Sequence, residues 1–131
     1  MRVCKQISAM LINKPGRLAN VCSALAKQKI NIIGLSIADA GDHGVLRMVA
    51  DDPERAKKVL SQLGTPFTET QVLCCEVFHH PGAIAALLGR LAAAHINVEY
   101  VYVSAIVAGG KTTVILKVSN LAQAQRVLGG K

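Results

Sequence analysis

Residues 13–32 read NKPGRLANVCSALAKQKINI, and the same pattern begins again 66 residues later, where residues 79–98 read HHPGAIAALLGRLAAAHINV. Each stretch opens with two polar residues and Pro-Gly, continues with apolar residues at helical spacing, and ends in Ile-Asn before a β-branched residue. The shared pattern predicts the same turn, helix and strand start at two places. A duplicated unit therefore decides the fold.

The sequence around the first stretch completes one unit. Its elements are predicted as a strand from Val3 to Ile12, a helix from Arg17 to about Lys29, strands from Ile30 to Ala40 and Val45 to Ala50, a helix after Asp51-Asp52-Pro53-Glu54, and a strand from Phe67. Asn13 is expected to cap the first helix. This order predicts an α+β fold of ferredoxin-like βαββαβ units, with antiparallel sheets covered by helices on one face.

The second unit follows without a linker. Phe67 to Phe78 is one extended, apolar-rich stretch, so it must supply the last strand of the first unit and the first strand of the second. Two additional residues in the second copy are expected in the turn around residues 108–111. We expect one domain at residues 1–72 and another at residues 73–131.

The second unit also ends early. Its second helix, about Leu121 to Leu128, is followed here by Gly129-Gly130-Lys131, so we expect this unit to be without its last strand. An open apolar sheet edge promotes aggregation. We therefore expect this edge to be filled by a strand shared or swapped from elsewhere, or by a partner chain.

Composition excludes several classes of protein. The 131 residues are 51% hydrophobic and 18% charged, which excludes a disordered chain, and no apolar run approaches the roughly 20 residues that span a bilayer. Without an apolar signal core, a cytoplasmic protein is expected. The net charge of +7 includes no dense basic cluster, and only four residues are aromatic, which argues against nucleic-acid binding. We assign the net charge no function.

The chain lacks the patterns of metal sites and catalytic sites. Cys4, Cys22, Cys74 and Cys75 form no C-x-x-C, so we expect reduced, mostly buried thiols, and the adjacent Cys74 and Cys75 should face opposite sides of a strand. No metal-ligand spacing, Ser/His/Asp arrangement or paired carboxylates stand out. We therefore expect no metal, no cofactor and no enzyme activity.

Two segments carry a resemblance to a known family. Residues 13–18, followed by Ile30-Asn31-Ile32, resemble the ACT domain, a small regulatory module that binds amino acids, and residues 79–84 with Ile96-Asn97-Val98 are similar. The resemblance covers nearly the whole chain as two ACT units in tandem without an attached enzyme. It implies units that pair through their second strands, with a free amino acid or close analogue bound at that interface.

The resemblance also implies which residues bind the ligand. By position they are Asn13, Lys14, Pro15, Gly16, Arg17, Leu18 and Asn31 in the first unit, and His79, Pro81, Gly82, Ala83 and Asn97 in the second. Asn13 would hold the ligand's amino or carboxylate group, Gly16 would allow close approach of the backbone, and Asn31 would reach the ligand's polar end from a second strand. In the second unit, His79 replaces the usual Asn or Asp.

Simpler interpretations stay open. The Pro-Gly segments could be tight turns alone, since duplication preserves turns, and Asn31 and Asn97 could satisfy backbone groups at a helix-to-strand junction. Leu11 and Val77 stand where some serine-sensing members are polar, which argues against serine. The expected protein is an amino-acid sensor, a homodimer with a possible partner enzyme; the alternative is a ligand-free subunit that docks an enzyme through its sheet edges.

Overall fold

The computed structural model describes residues 1–104 and 110–129, over which the chain forms six strands and four helices. In chain order they are β1 (Arg2–Ile12), α1 (Arg17–Lys27), β2 (Ile32–Ala40), β3 (His43–Ala50), α2 (Pro53–Gln62), β4 (Phe67–Phe78), α3 (Ala83–Ala93), β5 (Val98–Val103), β6 (Lys111–Val118) and α4 (Leu121–Gly129). This order confirms the predicted α+β fold of tandem ferredoxin-like units. No helix in the described part of the chain is both long and apolar enough to cross a membrane.

The N-terminal unit comprises Lys5–Thr70. Its strands follow the order β2-β3-β1-β4, and β3 pairs antiparallel with both β1 and β2, so that Leu11 lies opposite Gly44 and Ile37 opposite Leu46. Its core is formed by one face of these strands and the apolar faces of α1 and α2, with Leu25, Leu46 and Leu60 among its fully buried side chains.

The C-terminal unit comprises Gln71–Lys131 together with Met1–Cys4. Its strands follow the order β1-β4-β6-β5, and β6 pairs antiparallel with β4 and β5, so that Val77 lies opposite Thr112 and Val103 opposite Val114. A separate core forms beneath α3 and α4. Of the turn at residues 108–111, where the two-residue insertion is expected, residues 108 and 109 lie outside the described residues.

The two long strands each contribute to both units. Val3, near the start of β1, packs against the core of the C-terminal unit, whereas the rest of β1 belongs to the N-terminal unit. Phe67, at the start of β4, packs in turn against the core of the N-terminal unit. Within the described residues, the start of β1 therefore stands beside β4 in the place of a last strand of the C-terminal unit, which is the shared-strand alternative. The domain boundary between residues 72 and 73 stays a prediction based on the sequence repeat. Packing divides the chain differently, because it assigns the first four residues to the C-terminal unit.

The two helices of the N-terminal unit begin differently. The predicted acidic start of α2 is present, with the Asp52 side chain accepting a hydrogen bond from the Arg55 backbone N–H at 3.2 Å. The expected Asn13 cap of α1 is wrong, because the residue preceding that helix is Gly16 and no side chain caps it. Pro15-Gly16 separates Asn13 from the helix, and the Asn13 amide instead donates to the Gly41 carbonyl at 3.4 Å.

The cysteines are free thiols, and Cys4, Cys74 and Cys75 are buried, as predicted. Cys75 belongs to the core beneath α3 and α4, whereas Cys74, the next residue along β4, does not. Burial, followed by the Cys4 thiol, raises the pKa of Cys74 to about 12. Cys74 is therefore held as an unreactive thiol at neutral pH.

Four charged side chains of the N-terminal unit form an exposed cluster. Lys57 Nζ lies 2.6 Å from Glu69 and 2.9 Å from Glu54, and Lys5 Nζ lies 3.2 Å from Glu54 and 3.6 Å from Glu69. The hydrogen bond from Lys57 holds the pKa of Glu69 below its ordinary value, and the hydrogen bond to Glu69 raises the pKa of Lys57. The cluster joins β1, α2 and the start of β4 within one unit.

Glu69→Gln is expected to destabilise the protein slightly near neutral pH. A carboxylate whose pKa is lowered by folding stabilises the protein above its unfolded pKa, and that contribution disappears as the pH falls through the lower, folded value. Urea unfolding should therefore distinguish variant from wild type near pH 7 in low salt, but not well below pH 4.5 or near 1 M NaCl. Glu76→Gln is the control, because Glu76 forms no ion pair with the described residues. A difference that persists in acid would contradict the electrostatic explanation.

Candidate functional site

The N-terminal loop (residues 13–16) and the C-terminal loop (residues 79–82) each connect the first strand of a unit to its first helix, and their backbones are held alike. Within each loop the first residue donates to the facing hairpin turn, the residue after the Gly donates back to the loop, and the Gly carbonyl accepts the first helical hydrogen bond. These bonds are Asn13 N–H to Asp42 O (2.9 Å), Arg17 N–H to Lys14 O (3.3 Å) and Asn20 N–H to Gly16 O (2.9 Å), matched by His79 N–H to Gly110 O (2.7 Å), Ala83 N–H to His80 O (3.2 Å) and Ala86 N–H to Gly82 O (2.9 Å).

A left-handed glycine ends each loop. Gly16 has φ 87° and Gly82 has φ 90°, and a Cβ added to either would meet no atom within 4 Å. Neither helix start carries a side-chain cap. The glycines thus leave open space beside uncapped helix N–H groups, a combination that suits a ligand carboxylate.

Gly16→Ala and Gly82→Ala are expected to destabilise the protein by about 1 kcal/mol each, because an alanine there must adopt a positive φ. No clash adds to this cost, since the new Cβ enters open space. Urea unfolding measures the loss for each variant. Similar losses at the two positions would support the matched geometry, and a stabilised variant would contradict it.

A cavity of about 110 Å³ lies against the N-terminal loop. Four predicted ligand-binding residues line it: Asn13, Lys14, Arg17 and Leu18. Its other walls come from the strands: Leu11, Ile12, Ile37 and Gly44. Pro15 and Gly16 shape the loop without lining the cavity. Ile37 and Gly44 carry no local sequence signal of a site, because only strand pairing brings them to the loop.

A cavity of about 180 Å³ lies against the C-terminal loop. Of the predicted residues, His79, Gly82 and Ala83 line it, whereas Pro81 does not. Its remaining walls are Val77, Phe78, His80, Ile84, Ala85 and Thr112. Applying the offset of 66 to Leu18 would have indicated Ile84.

The two loops differ in charge. Lys14 and Arg17 are exposed, and neither forms an ion pair with any described residue. In the C-terminal loop His80 Nδ1 lies 2.9 Å from the carbonyl of Pro81, and the nearest described lysine contact is Lys111 over the ring of Phe78, 5.1 Å from its centroid. Only the N-terminal loop therefore presents two fixed positive charges at its cavity.

Asn31 and Asn97 do not lie at these loops within their own units. Ala40, at the far end of β2, pairs with His43 beside the N-terminal loop, whereas Ile32 pairs with Ala50 at the opposite end of the sheet. There the Asn31 backbone exchanges hydrogen bonds with Asp51, whose carboxylate accepts at 3.1 Å and whose N–H donates at 3.0 Å. The Asn97 backbone exchanges hydrogen bonds with Ser119 in the same way: the Ser119 hydroxyl accepts at 3.1 Å and the Ser119 N–H donates at 2.9 Å. Ligand contact by these residues from a neighbouring unit stays a prediction.

A larger cavity, about 290 Å³, lies elsewhere in the C-terminal unit. Its lining includes Leu87 and Arg90 of α3, Leu128 of α4 and Cys75 of β4, and it shares only Ala83 with the predicted site residues. The Arg90 guanidinium donates to the Val127 carbonyl at 2.6 Å, so its charge is partly engaged with α4. By volume alone this cavity would be the better candidate for a ligand site. The two loops are better candidates because of their charge and backbone geometry. Among the described residues no cluster of His, Cys, Asp or Glu is arranged to hold a metal ion.

Comparisons with known proteins agree with this geometry. The family profile of the ACT domain pair matches residues 1–130. The structure is similar to that of protein BT0572 from Bacteroides thetaiotaomicron, at 37% sequence identity and a TM-score of 0.89, covering 98% of this chain and 88% of that one. No curated protein matches the sequence.

Two further solved structures share the fold. The regulatory subunit of aspartate kinase from Thermus thermophilus, solved without ligand, is 16% identical with a TM-score of 0.69, covering 99% of this chain and 97% of that one. The corresponding subunit from Thermus flavus is 17% identical with a TM-score of 0.66, covering 98% and 94%. At these identities the likeness shows the fold alone.

Proposed function

The chain is a tandem pair of the ACT domain family, and from this we propose that it is a regulatory sensor that binds a free amino acid or a close analogue. The ligand is held at the loop between the first strand and first helix of a unit. One observation carries the proposal: a loop with a left-handed glycine, an uncapped helix start and an adjoining cavity is present in both units.

The chemistry of the loops supports an amino acid as ligand. An amino acid offers a carboxylate, which suits free helix N–H groups and cationic side chains, and an ammonium group, which suits carbonyl and amide oxygens. The Asn13 amide group and the Lys14 and Arg17 cations stand together at one cavity. The aspartate kinase subunits that share the fold are named as regulatory, which is consistent with a sensor rather than an enzyme.

In this proposal the chain acts as a homodimer, and second strands contribute further ligand contacts through Asn31 and Asn97. Ligand binding shifts the packing of the units by no more than its difference in affinity for the two arrangements, and a partner enzyme detects the shift. The chain itself performs no chemistry.

A thermal-shift panel of the common amino acids tests the proposal. A ligand that binds only the folded protein stabilises it by RT ln(1 + [L]/Kd), about 2.7 kcal/mol at a hundredfold excess over Kd. We expect one chemical class of amino acid to raise the melting temperature in a concentration-dependent way, with calorimetry giving the same Kd. No shift with any amino acid, at concentrations up to several millimolar, would contradict the sensor.

The alternative is a ligand-free subunit that docks an enzyme through its sheet edges. Exposed apolar residues on the edge strands favour it: Ile37 on β2, and Val101 and Val103 on β5, are 48%, 40% and 47% exposed. Such a subunit would show no thermal shift in the panel, so the same experiment distinguishes the two functions.

A further inference from the structure

We propose that the two loops are unequal, and that only the N-terminal loop binds the ligand, taking its carboxylate on Lys14 and Arg17 and an aliphatic side chain in its cavity. The inference rests on the proposed function and deepens it, since it names the class of amino acid and the loop that takes it.

Strand pairing establishes which positions of the two loops correspond. Leu11 lies opposite Gly44 in one hairpin, and Val77 lies opposite Thr112 in the other. The equivalent hydrogen bonds of the loop backbones give the same alignment. On this alignment the corresponding pairs are Asn13 and His79, Lys14 and His80, Arg17 and Ala83, Leu18 and Ile84, and Gly44 and Thr112.

Two cations that could hold a carboxylate line the N-terminal cavity, whereas at the C-terminal cavity the described lysine, Lys111, lies over the ring of Phe78. Lys14 and Arg17 both line the N-terminal cavity, and no described carboxylate pairs with either. The nearby Asp39 carboxylate accepts a hydrogen bond from the Gly41 N–H at 3.1 Å, and Asp42 meets the loop through its backbone carbonyl. At the C-terminal loop, Ala83 cannot donate a side-chain hydrogen bond, and histidine is not the permanent cation that arginine is.

The walls of the N-terminal cavity select an aliphatic side chain. Leu11, Ile12, Leu18 and Ile37 supply them, and no hydroxyl or carboxylate side chain lines the cavity. Against these four side chains a polar ligand side chain would gain no hydrogen-bond partner, because Asn13, Lys14 and Arg17 hold the ligand's ammonium and carboxylate groups, whereas an aliphatic side chain would bury its apolar surface. The class is therefore the aliphatic amino acids valine, leucine and isoleucine.

Gly44 leaves room for the Ile37 side chain at this cavity. A Cβ at residue 44 would lie 3.2 Å from Ile37 Cδ1 and 3.4 Å from its Cγ1, so Ile37 occupies the space that a larger residue would fill. At the corresponding place in the other unit, the Thr112 hydroxyl donates to the Ser104 carbonyl at 2.9 Å and is thus already engaged. The Thr112 hydroxyl is therefore not free to bind a ligand, and charge is the main difference between the two loops.

Titration calorimetry on the full chain tests the inference with L-valine, L-leucine, L-isoleucine, L-serine and L-glutamate, and with L-valinamide, which lacks the carboxylate. We expect one aliphatic ligand bound per chain, and at least about tenfold weaker binding of the amide. Arg17→Ala should weaken binding at least about tenfold and Arg17→Lys much less, because lysine keeps the charge. Lys27→Ala, which removes a positive charge from the opposite end of α1, should leave the Kd unchanged.

Melting curves without ligand check that each variant is folded, and Gly44→Ala provides a second test at an uncharged position. Displacing Ile37, which lines the cavity, should weaken aliphatic ligands at least about tenfold. Two aliphatic ligands per chain, a preference for serine or glutamate, or an unchanged Kd in Arg17→Ala would overturn the inference and leave the sensor standing. Binding of no amino acid at all would overturn both.

Discussion

Leu25→Ala is expected to lower the free energy of unfolding by about 2 to 5 kcal/mol, and Leu91→Ala by a similar amount. The two leucines are 66 residues apart, occupy equivalent places on α1 and α3, and have 0% exposure. Each loses three buried carbon atoms and leaves a cavity, because a packed core relaxes only in part. These losses are a large fraction of the stability of an ordinary small domain.

The pair also tests whether the two cores are separate. Leu25 belongs to the core of the N-terminal unit and Leu91 to that of the C-terminal unit. Urea unfolding measures the total loss, and hydrogen exchange should place the earliest loss of protection within the unit that carries the change. Leu63→Ala is the control, because Leu63 is 44% exposed and should cost no more than about 0.5 kcal/mol. Losses below about 1 kcal/mol at both buried positions would contradict the core assignment.

Local sequence patterns predict most of this fold because its elements have strong periodicity and clear breaks. Phe67–Phe78 is one strand as expected, and Arg17–Lys27 is a helix with the buried stripe that its spacing indicates. The predicted Asn13 cap is wrong because Gly16 directly precedes the helix. Gly16 adopts a left-handed conformation, which composition does not specify. The core against which Val3 packs was not predictable from the sequence. The alternation of apolar residues around Val3 indicates a strand, but it does not indicate which core the first residues of that strand join.

The residues of the candidate site are likewise predictable from local sequence only in part. Asn13, Lys14, Arg17 and Leu18 are contiguous with the Pro-Gly motif, and the structure brings all four to one cavity. Ile37 and Gly44 belong to other strands and reach that cavity only through the antiparallel register, which one sequence does not encode in any local pattern. Asn31 has the opposite outcome: it is close to the motif in sequence, but it lies at the other end of the sheet in its own unit.

Val3→Asp is expected to destabilise the C-terminal unit by about 2 kcal/mol or more, because it places a carboxylate against the apolar core that the start of β1 covers. Hydrogen exchange should then show weakened protection in β6 and α4, because both contribute residues to the core against which Val3 packs. The effect should appear in Gln71–Lys131 although residue 3 precedes Lys5–Thr70 in the chain.

Phe67→Asp is the reciprocal change, because Phe67 opens β4 but packs against the core of the N-terminal unit. We expect Phe67→Asp to destabilise the protein by about 2 kcal/mol or more, as Val3→Asp does. The loss of hydrogen-exchange protection should instead fall in Lys5–Thr70. Thr68→Asp adds the same charge at the exposed neighbouring residue and should change little. If Val3→Asp weakened only Lys5–Thr70, or Phe67→Asp only Gln71–Lys131, each strand start would belong to the unit that follows it in sequence, and the sharing of β1 and β4 would be wrong.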